Sequence, residues 1–338
     1  MSKWYSTSGE QNDIVLSTRV RLARNIKGYN FPNKLDADSA LEIINKVENA
    51  VSNLGLGFKK YMLSQMTENE KQIMIEEHFM SPNMLDNSIP RALFISADHS
   101  VCIMVNEEDH IRMQSIFAGL DSDKAFDIIY KIDKYLADAL NYAVHQKYGY
   151  LSSCLTNVGT GLRVSYMLHL PAIVKANLAD SLFSSLGKLG ATVRGIYGEG
   201  SRANESIFQV SNQITIGKSE TDIHKSINNV VTQIIAKERE IRYAVFKNQG
   251  IKLEDKIMRA YGILKNARLI SYKEMMNYIS NVRYGITLGI IDIEPNILST
   301  VMVETSPAHL SGENQKTPFD RDAERAVFIR NLLNKTNY

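Results

Sequence analysis

The sequence is poor in cysteine and carries little net charge, and both facts exclude whole classes of protein. Of its 338 residues only Cys102 and Cys154 are cysteines, too few for a disulfide framework or a cysteine-rich zinc site. Its 39 lysines and arginines against 37 aspartates and glutamates leave a formal charge of +2, which gives no general attraction to nucleic acid or membranes. Any anion site must therefore come from local clustering of basic residues.

Long apolar segments are also missing. No apolar run approaches the roughly 20 residues that a membrane span requires, and residues 1–11 lack the apolar stretch of a secretory signal. We therefore expect a cytoplasmic protein that binds neither nucleic acid nor membrane. With 44% hydrophobic residues, the chain can bury the core of one large domain, or of one domain and a smaller appendage.

Hydrophobic periodicity predicts helices and strands without regular alternation. Helices are predicted over residues 36–54, 66–80, 125–146 and 222–246, and strands over 91–95, 100–105, 163–170, 192–197 and 207–216. This pattern is typical of an α+β fold whose sheet is largely antiparallel and flanked by helices. Strand signals stop after residue 250, so we predict one domain over residues 12–247 and a smaller helical C-terminal domain over residues 251–338.

Standard nucleotide-binding loops are missing from the sequence. Gly217-Lys218-Ser219 resembles the end of a P-loop, but Asn212 stands where that loop requires glycine. Residues 198–203 match a dinucleotide-binding fingerprint in letters only, because a strand pattern over residues 207–210 follows where a helix must begin.

Arginine is the more informative residue type. Arg19 and Arg21 share one face if residues 17–21 are extended, and Arg24 follows closely. Three more arginines follow glycine-rich or acidic segments: Arg112, Arg163 and Arg194. Guanidinium groups match phosphate oxygens with paired hydrogen bonds, so several together can hold a triphosphate without a P-loop. Taken singly, each arginine is more simply interpreted as an exposed, solvated side chain.

Two further segments display reactive side chains. Residues 106–110, Asn-Glu-Glu-Asp-His, follow directly on an apolar strand, where an acidic run alone is usually a solvated turn. Cys154 lies in a polar, glycine-rich segment where it can be exposed and activated, whereas Cys102 lies in an apolar run and is interpreted as core. Glu199 stands between two glycines and is likewise expected to be displayed.

Together these motifs resemble the guanidino (phosphagen) kinases. They occur in that family's order over about residues 20–245: Ser-Thr-Arg-Val-Arg at 17–21, Asn-Glu-Glu-Asp-His at 106–110, Cys-x-Thr-Asn-x-Gly-Thr-Gly at 154–161, Leu-Arg-Val-Ser at 162–165 and Arg-Gly-x-Tyr-Gly-Glu at 194–199. Two positions depart from the pattern. Leu155 replaces the usual proline, and Ile95 replaces a nucleotide-contacting histidine, which suggests that the adenine side relies instead on His78.

The C-terminal segment resembles a subgroup of that family. Arg321-Asp322-Ala323-Glu324-Arg325-Ala326 is similar to the Arg-Asp-x-x-Arg-Ala motif of bacterial protein-arginine kinases, where the resemblance implies allosteric binding of phosphoarginine. Arg321 and Arg325 are four residues apart, so a helix would place them side by side. The same layout leads us to expect no N-terminal helical domain of the creatine and arginine kinase type.

The resemblance implies transfer of phosphate from ATP, with Mg²⁺, to a guanidinium group. It implies that Glu108 and Glu199 clamp the guanidinium, that Glu108 is the base, and that Cys154 adds an electrostatic contact as a thiolate. No set of protein ligands for a metal is predicted. The residues implied to bind the nucleotide are Ser17, Thr18, Arg19, Val20, Arg21, His78, Arg112, Arg163, Val164, Ser165, Tyr166, Met167, Arg194, Gly195, Ile196, Tyr197, Gly198 and Glu199. His110 is interpreted either as a support for Arg112 or as an ordinary turn residue.

This layout favours arginine side chains of proteins as acceptors, because the missing domain helps other family members to close over a small substrate. Two alternatives stay open, namely a kinase acting on free arginine and a non-catalytic adaptor that binds phosphoarginine through residues 321–326. By resemblance we expect protein substrates with exposed arginine and a role in quality control or the stress response. We also expect an activator protein, Clp-type protease machinery and a homodimer.

Overall fold

An antiparallel sheet of eight strands is the centre of the computed structural model, which describes residues 3–195, 206–312 and 316–335. The strands in chain order are β1 (Val15–Arg24), β2 (Lys59–Met62), β3 (Ala92–Ile95), β4 (Val101–Val105), β5 (Ile111–Ala118), β6 (Val144–His145), β7 (Gly149–Tyr150), β8 (Leu162–His169), β9 (Ala191–Gly195) and β10 (Ile207–Asn212). The large sheet has the order β2-β3-β4-β5-β1-β8-β10-β9, and β6 pairs with β7 separately. The predicted α+β class with an antiparallel sheet is confirmed.

Helices cover one face of this sheet and form the C-terminal region. They are α1 (Ala37–Ser52), α2 (Glu68–Glu76), α3 (Ser122–Leu140), α4 (Pro171–Lys175), α5 (Ala179–Lys188), α6 (Glu220–Asn266), α7 (Tyr272–Thr287), α8 (Pro295–Glu304), α9 (Pro307–Ser311) and α10 (Pro318–Lys335). Asp36 caps α1, and Thr67 with Glu70 forms a capping box at α2. Apolar residues of α3 and α6 pack on the sheet in one continuous hydrophobic core.

Several elements end at other residues than their hydrophobic pattern predicts. Helix α2 ends at Glu76, because His78 adopts a φ of +66°. Helix α3 ends at Leu140, because Asn141 adopts the left-handed conformation with φ +49°. Strand β10 ends at Asn212, whose side-chain amide accepts from the Val164 N–H and donates to the Leu162 carbonyl. Hydrophobic periodicity does not indicate where these three elements end.

The predicted domain boundary falls inside α6. Two helical segments meet there in a kink at Gly250 (φ +27°), and α6 includes both of them as far as Asn266. Buried arginines then join the two parts of the chain. Arg242 Nη1 donates to Thr287 Oγ1 of α7 (2.8 Å), and Arg283 Nη2 of α7 donates to the Asn12 carbonyl (2.9 Å). The division into residues 12–247 and 251–338 therefore remains a prediction, and one shared core spans both parts.

A polar cluster connects α2 with α9. Glu76 Oε2 lies 2.9 Å from His309 Nδ1 and accepts from Ser306 Oγ (2.5 Å), while its Oε1 accepts from the Ala308 N–H (2.9 Å). Glu77 Oε1 lies 3.3 Å from His309 Nε2. Burial alone would lower the pKa of His309, but the hydrogen bonds to both glutamates raise it to about 9. The C-terminal region thus holds the chain immediately before His78.

Candidate active site

The register of the sheet gathers arginines on its open face. Arg21 lies opposite Gln114 of β5 and Arg163 of β8, while Arg112 lies opposite Ala23. Successive side chains of a strand point to opposite faces, so Arg19 and Arg21 project away from the core in which the intervening residue of β1 is buried. With Arg112, Arg163 and Arg194, they line a cleft of about 500 Å³. The structure therefore brings the five predicted arginines together.

These arginines lie close enough to perturb one another. Burial, followed by the charges of Arg112 and Arg163, lowers the pKa of Arg19 to about 10. Burial and the same neighbours, together with Arg19, lower the pKa of Arg21. Burial and the charges of Arg194 and Arg112 lower the pKa of Arg163. The groups remain cationic near pH 7, so the cleft concentrates positive charge that a polyanion would neutralise.

The hydrogen-bonding capacity of the cluster is only partly used. Arg19 Nη2 donates to Gln209 Oε1 (3.1 Å), and Arg163 Nη2 donates to Ser211 Oγ (3.0 Å). Within the part of the chain that the structure describes, Arg21 Nε and Arg163 Nε are buried without a hydrogen-bond partner. Buried donors without partners are costly in a protein. A ligand with several phosphate oxygens supplies the acceptors that these donors lack.

Two adjacent glutamates of the acidic segment after β4 have different surroundings. Glu107 is buried, and its Oε1 accepts from Arg112 Nη1 at 2.6 Å. Burial opposes ionisation of this carboxyl, but Arg112 holds its pKa below the usual value. Glu108 is exposed and lines the cleft. Among the described residues, its carboxylate accepts no hydrogen bond, so it is available to a cationic ligand.

Asp109 connects this acidic segment to the segment that carries Cys154. It is 1% exposed, and its carboxylate accepts from Asn25 Nδ2 (2.7 Å), the Ser153 N–H (2.9 Å) and Asn157 Nδ2 (3.2 Å). Ser152 Oγ lies 2.9 and 2.8 Å from its two oxygens. The sequence does not reveal this role of Asp109, because a run of acidic residues does not show which of them is buried.

Cys154 lies at the edge of the cleft and does not line it. Its Sγ is 3.0 Å from Thr156 Oγ1, and its N–H donates to Ser152 Oγ (3.2 Å). Thr156 and Asn157 of the same segment do line the cleft. The thiol is partly buried. Cys102, in contrast, is 1% exposed, and burial raises its pKa to about 12, so it is a core residue as predicted.

The other residues predicted to bind nucleotide fall into three groups. His78, Met167 and Gly195 line the cleft. A second group is buried in the sheet or on its helix-covered face and does not line the cleft: Ser17, Thr18, Val20, Val164, Ser165 and Tyr166. These residues belong to the strands that carry the arginines. A third group lies outside the described residues: Ile196, Tyr197, Gly198 and Glu199. The roles of Glu199 and its neighbours therefore stay predictions.

His78 forms one wall of the cleft. Its ring stacks on Trp4 with centroids 5.1 Å apart. Burial and the charges of Arg19 and Arg21 lower the pKa of His78 to about 3, so the ring is neutral near pH 7. A neutral, stacked ring suits contact with a heteroaromatic base. Ile95 is 3% exposed in the core and offers nothing to the cleft.

Two residues from the sequence analysis have structural roles instead. His110 Nδ1 accepts from the Ile26 N–H (3.0 Å), and its Nε2 lies 2.7 Å from the Asn30 carbonyl. His110 thus orders the segment after β1 from its place between β4 and β5, and within the described residues no hydrogen bond joins it to Arg112. Arg24 is buried and donates to both oxygens of Asp133 (2.9 and 2.7 Å). It therefore does not join the arginine cluster.

Residues 321–326 do not present the guanidinium groups of Arg321 and Arg325 side by side at the surface. Arg325 is 1% exposed and donates to the carbonyls of Thr305 (3.0 Å) and Ile270 (2.9 Å) and to Asp322 Oδ1 (2.5 Å). It is therefore closed to solvent. Arg321 lines a separate cleft of about 920 Å³ between α2 and the α9–α10 region. Ala326 is buried, Ala323 is half-buried, and Glu324 pairs with Lys316.

Comparison with known families agrees with this geometry. Residues 42–241 match the family model described as ATP:guanido phosphotransferase, C-terminal catalytic domain. The chain belongs to the ATP:guanido phosphotransferase family. Membership of this family implies ATP as the phosphate donor. Residues 250–338 match the model described as Protein-arginine kinase McsB C-terminal domain.

Relatives of this guanido phosphotransferase extend over nearly its whole length. A protein-arginine kinase of Geobacillus kaustophilus (strain HTA426) is 43% identical, covering 98% of this chain and 94% of the relative. A protein-arginine kinase of Bacillus subtilis (strain 168) is 42% identical, covering 98% and 93%. Among solved structures, a lombricine kinase has a TM-score of 0.62 at 24% identity, covering 71% of this chain and 70% of that one. The last likeness shows the fold.

Metal-binding clusters and membrane-spanning helices are both absent from residues 3–195, 206–312 and 316–335 of this guanido phosphotransferase. No group of three or more His, Cys, Asp or Glu side chains is arranged to hold a metal ion there. No helix there is long and apolar enough to cross a membrane.

Proposed function

We propose that this guanido phosphotransferase transfers the γ-phosphate of ATP to arginine side chains of proteins. The observation that carries the proposal is the cleft itself, which is lined by Arg19, Arg21 and Arg163 and by Glu108, whose carboxylate has no partner among the described residues. The arginines suit the phosphates of ATP, and the carboxylate of Glu108 suits a cationic phosphate acceptor. The relatives called protein-arginine kinases support a protein as the source of that acceptor.

In this proposal, each side of the cleft has its own role. The arginines hold the phosphates of ATP and screen the charge that spreads over the transferred group. Glu108 holds the acceptor guanidinium, orients one nitrogen toward the γ-phosphorus and takes the proton that this nitrogen loses. One N–P bond forms as the terminal P–O bond of ATP breaks, and ADP leaves. Glu199 is the second carboxylate of this proposal.

Magnesium fits the site as part of the nucleotide. Mg²⁺ usually keeps several waters and binds through substrate phosphates with few protein carboxylates, which agrees with a cleft rich in arginine. The ion would add further screening of the phosphate charge. The only described carboxylate that lines the cleft is Glu108.

The finer expectations from the sequence belong to the same proposal. The protein acts in the cytoplasm as a homodimer, in quality control or the stress response, with an activator protein and Clp-type protease machinery as partners. Phosphoarginine binds in the cleft of Arg321 and regulates activity. In support, that cleft is lined by the cations Lys316 and Arg321, which suit a phosphate, and by acids of α2, which suit a guanidinium.

The reaction is tested with matched acceptors. The pure protein is incubated with ATP and Mg²⁺ and one of three acceptors: an unfolded protein, the same protein with every arginine replaced by lysine, and free arginine. We expect an acid-labile phosphoramidate on the first acceptor only, identified by phosphorus NMR. Phosphorylation of free arginine alone would show a small-guanidine kinase, and no transfer to any acceptor would favour the adaptor.

A further inference from the structure

A second groove lies beside the catalytic cleft. It has a volume of about 440 Å³, and we call it the side groove. Its lining includes Tyr148, Tyr150, Gly159, Thr160, Thr215 and Ile216. Thr156, Asn157 and Gly161 line the catalytic cleft, so the segment 154–161 forms a wall of both. Since Gly159 is two residues from Asn157, the two depressions are immediate neighbours.

Hydrogen bonds fix this shared wall in place. Tyr150 and Gly159 exchange backbone hydrogen bonds of 2.8 and 3.2 Å, and the Thr160 N–H donates to the Thr215 carbonyl (2.8 Å). Thr215 Oγ1 lies 3.0 Å from the Thr156 carbonyl. Gly159 has a φ of +105°, and a Cβ on it would collide with the Thr215 carbonyl oxygen. A wall of this kind is preformed, so a ligand need not order it on binding.

Large apolar side chains are exposed on the shared wall and in the side groove itself. Leu155, at the turn of the shared wall, is 89% exposed, Ile216 is 50% exposed and Tyr148 is 45% exposed. Clustered apolar surface of this kind marks interaction sites more often than single exposed residues do. The charged side chains of the groove balance one another: Lys147, Lys218, Glu220 and Asp222. Apolar contact, and not net charge, therefore decides what this surface binds.

The position of the side groove identifies its occupant. A polypeptide whose arginine enters the catalytic cleft must continue across one of the cleft's walls. An extended chain advances about 3.3 Å per residue, so residues two to four positions from that arginine lie roughly 7–13 Å away. Because Asn157 lines the cleft and Gly159 lines the side groove, we expect residues at those positions to cross the segment 154–161. Free arginine has no neighbouring residues and cannot use this surface.

We propose that the side groove, together with Leu155, binds an apolar side chain two to four residues from the acceptor arginine in the substrate polypeptide. The inference rests on the proposed function, because only a polypeptide acceptor reaches beyond the cleft. It makes the enzyme selective for arginines that have apolar neighbours. Such segments are buried in folded proteins and accessible in unfolded ones.

The test compares two nine-residue peptides with a central arginine. One carries leucine three positions before and three positions after it, and the other carries serine at both places. KM and kcat are measured for the wild type, for Leu155→Ser with Ile216→Ser, and for the control Leu269→Ser. Leu269 is an exposed loop leucine between α6 and α7. We expect a KM about 3- to 10-fold lower for the leucine peptide in the wild type and the control.

The double variant should lose this preference, so that its KM values for the two peptides become equal. Equal KM values for the two peptides in the wild type, or an undiminished preference in the double variant, would overturn the inference and leave the proposed function intact. Failure of the wild type to phosphorylate either peptide would overturn the proposed function and the inference with it. If the double variant does not fold, Leu155→Ser alone should lose part of the preference, and full retention of it would count against the side groove.

Discussion

At the scale of single residues, the proposed chemistry depends on Glu108, whose carboxylate accepts no hydrogen bond from the described part of the chain. Replacing it in Glu108→Gln should lower turnover by about 100- to 10,000-fold, the usual contribution of a general base. ATP affinity should stay within a few fold, because the arginines are untouched. Steady-state kinetics and calorimetric titration of ATP measure the two effects. The exposed helix residue Glu240 provides the control Glu240→Gln, and near-normal turnover of Glu108→Gln would remove the assignment.

Substitution of Cys154 tests whether its thiol acts electrostatically or forms a covalent intermediate. Direct in-line transfer forms no enzyme-bound phosphate, so Cys154→Ser should lower activity without abolishing it. The variant should also resist thiol-alkylating reagents, because the remaining cysteine, Cys102, is buried. Inactivation rates of the wild type and the variant measure this. Isolation of a phosphocysteine would contradict the mechanism.

Strand alternation allowed part of the site to be predicted residue by residue. Arg19 and Arg21 were predicted to share a face, and they do. The roles of Arg24 and Asp109 were not foreseen, because each depends on partners far away in sequence, namely Asp133 and residues 152–157. The residue pattern of one strand predicts which face of the sheet a side chain lies on. It does not predict which residues of other segments that side chain contacts.

At the scale of secondary-structure elements, Asp109 holds together two segments that no strand joins. Asp109→Asn keeps the shape but replaces an acceptor oxygen by a donor facing the donors of Ser152, Ser153 and Asn157. We expect kcat to fall with little change in the KM for ATP, and the free energy of unfolding to fall by about 1–3 kcal/mol. Urea unfolding and kinetics separate the two effects.

Asp98 provides the matched control for this substitution. It accepts from the Ser96 and Ser100 hydroxyls and the Ser100 N–H in the turn between β3 and β4, outside the lining of the cleft. Asp98→Asn should therefore lower stability and leave kcat unchanged. Equal effects of both substitutions on kcat would show that Asp109 acts only through general stability.

Element positions were predicted better than element ends. Strands β3, β4 and β8 lie within one residue of their predicted ranges, since runs of apolar residues locate buried strands directly. The ends of α2 and α3 were misplaced because they are set by the backbone conformations of His78 and Asn141. Strand β5 was missed, although it carries Arg112 at its start.

At the scale of the whole molecule, the cluster of Glu76, Glu77 and His309 makes stability depend on pH. The folded pKa of His309 is about 9, above its usual value of about 6.5. Its stabilising contribution is therefore complete below pH 6.5 and is lost as pH rises through 9. Hydrogen bonds from His309 also hold the pKa values of both glutamates below normal despite burial, so the cluster weakens again in acid below about pH 4.5.

We expect the wild type to lose about 1–3 kcal/mol of unfolding free energy between pH 6.5 and 9.5 through this cluster. The variant His309→Gln should lose less over the same range. Urea denaturation at several pH values measures the difference. Parallel stability curves for the two proteins would show that His309 is not protonated in the cluster. The contact joins residues 232 and 233 positions apart, which is why no local pattern could predict it.

The crowded arginines of the catalytic cleft have a consequence for the melting temperature of the protein. Like charges held together cost free energy in the folded state, and the unfolded chain escapes that cost by separating them. Dissolved ions screen such repulsion over about 8–10 Å. Added salt should therefore raise the melting temperature of the protein without nucleotide, whereas many surface ion pairs weaken under the same conditions. Saturating ATP should raise it further and make it less responsive to salt, because the nucleotide has already neutralised the charge.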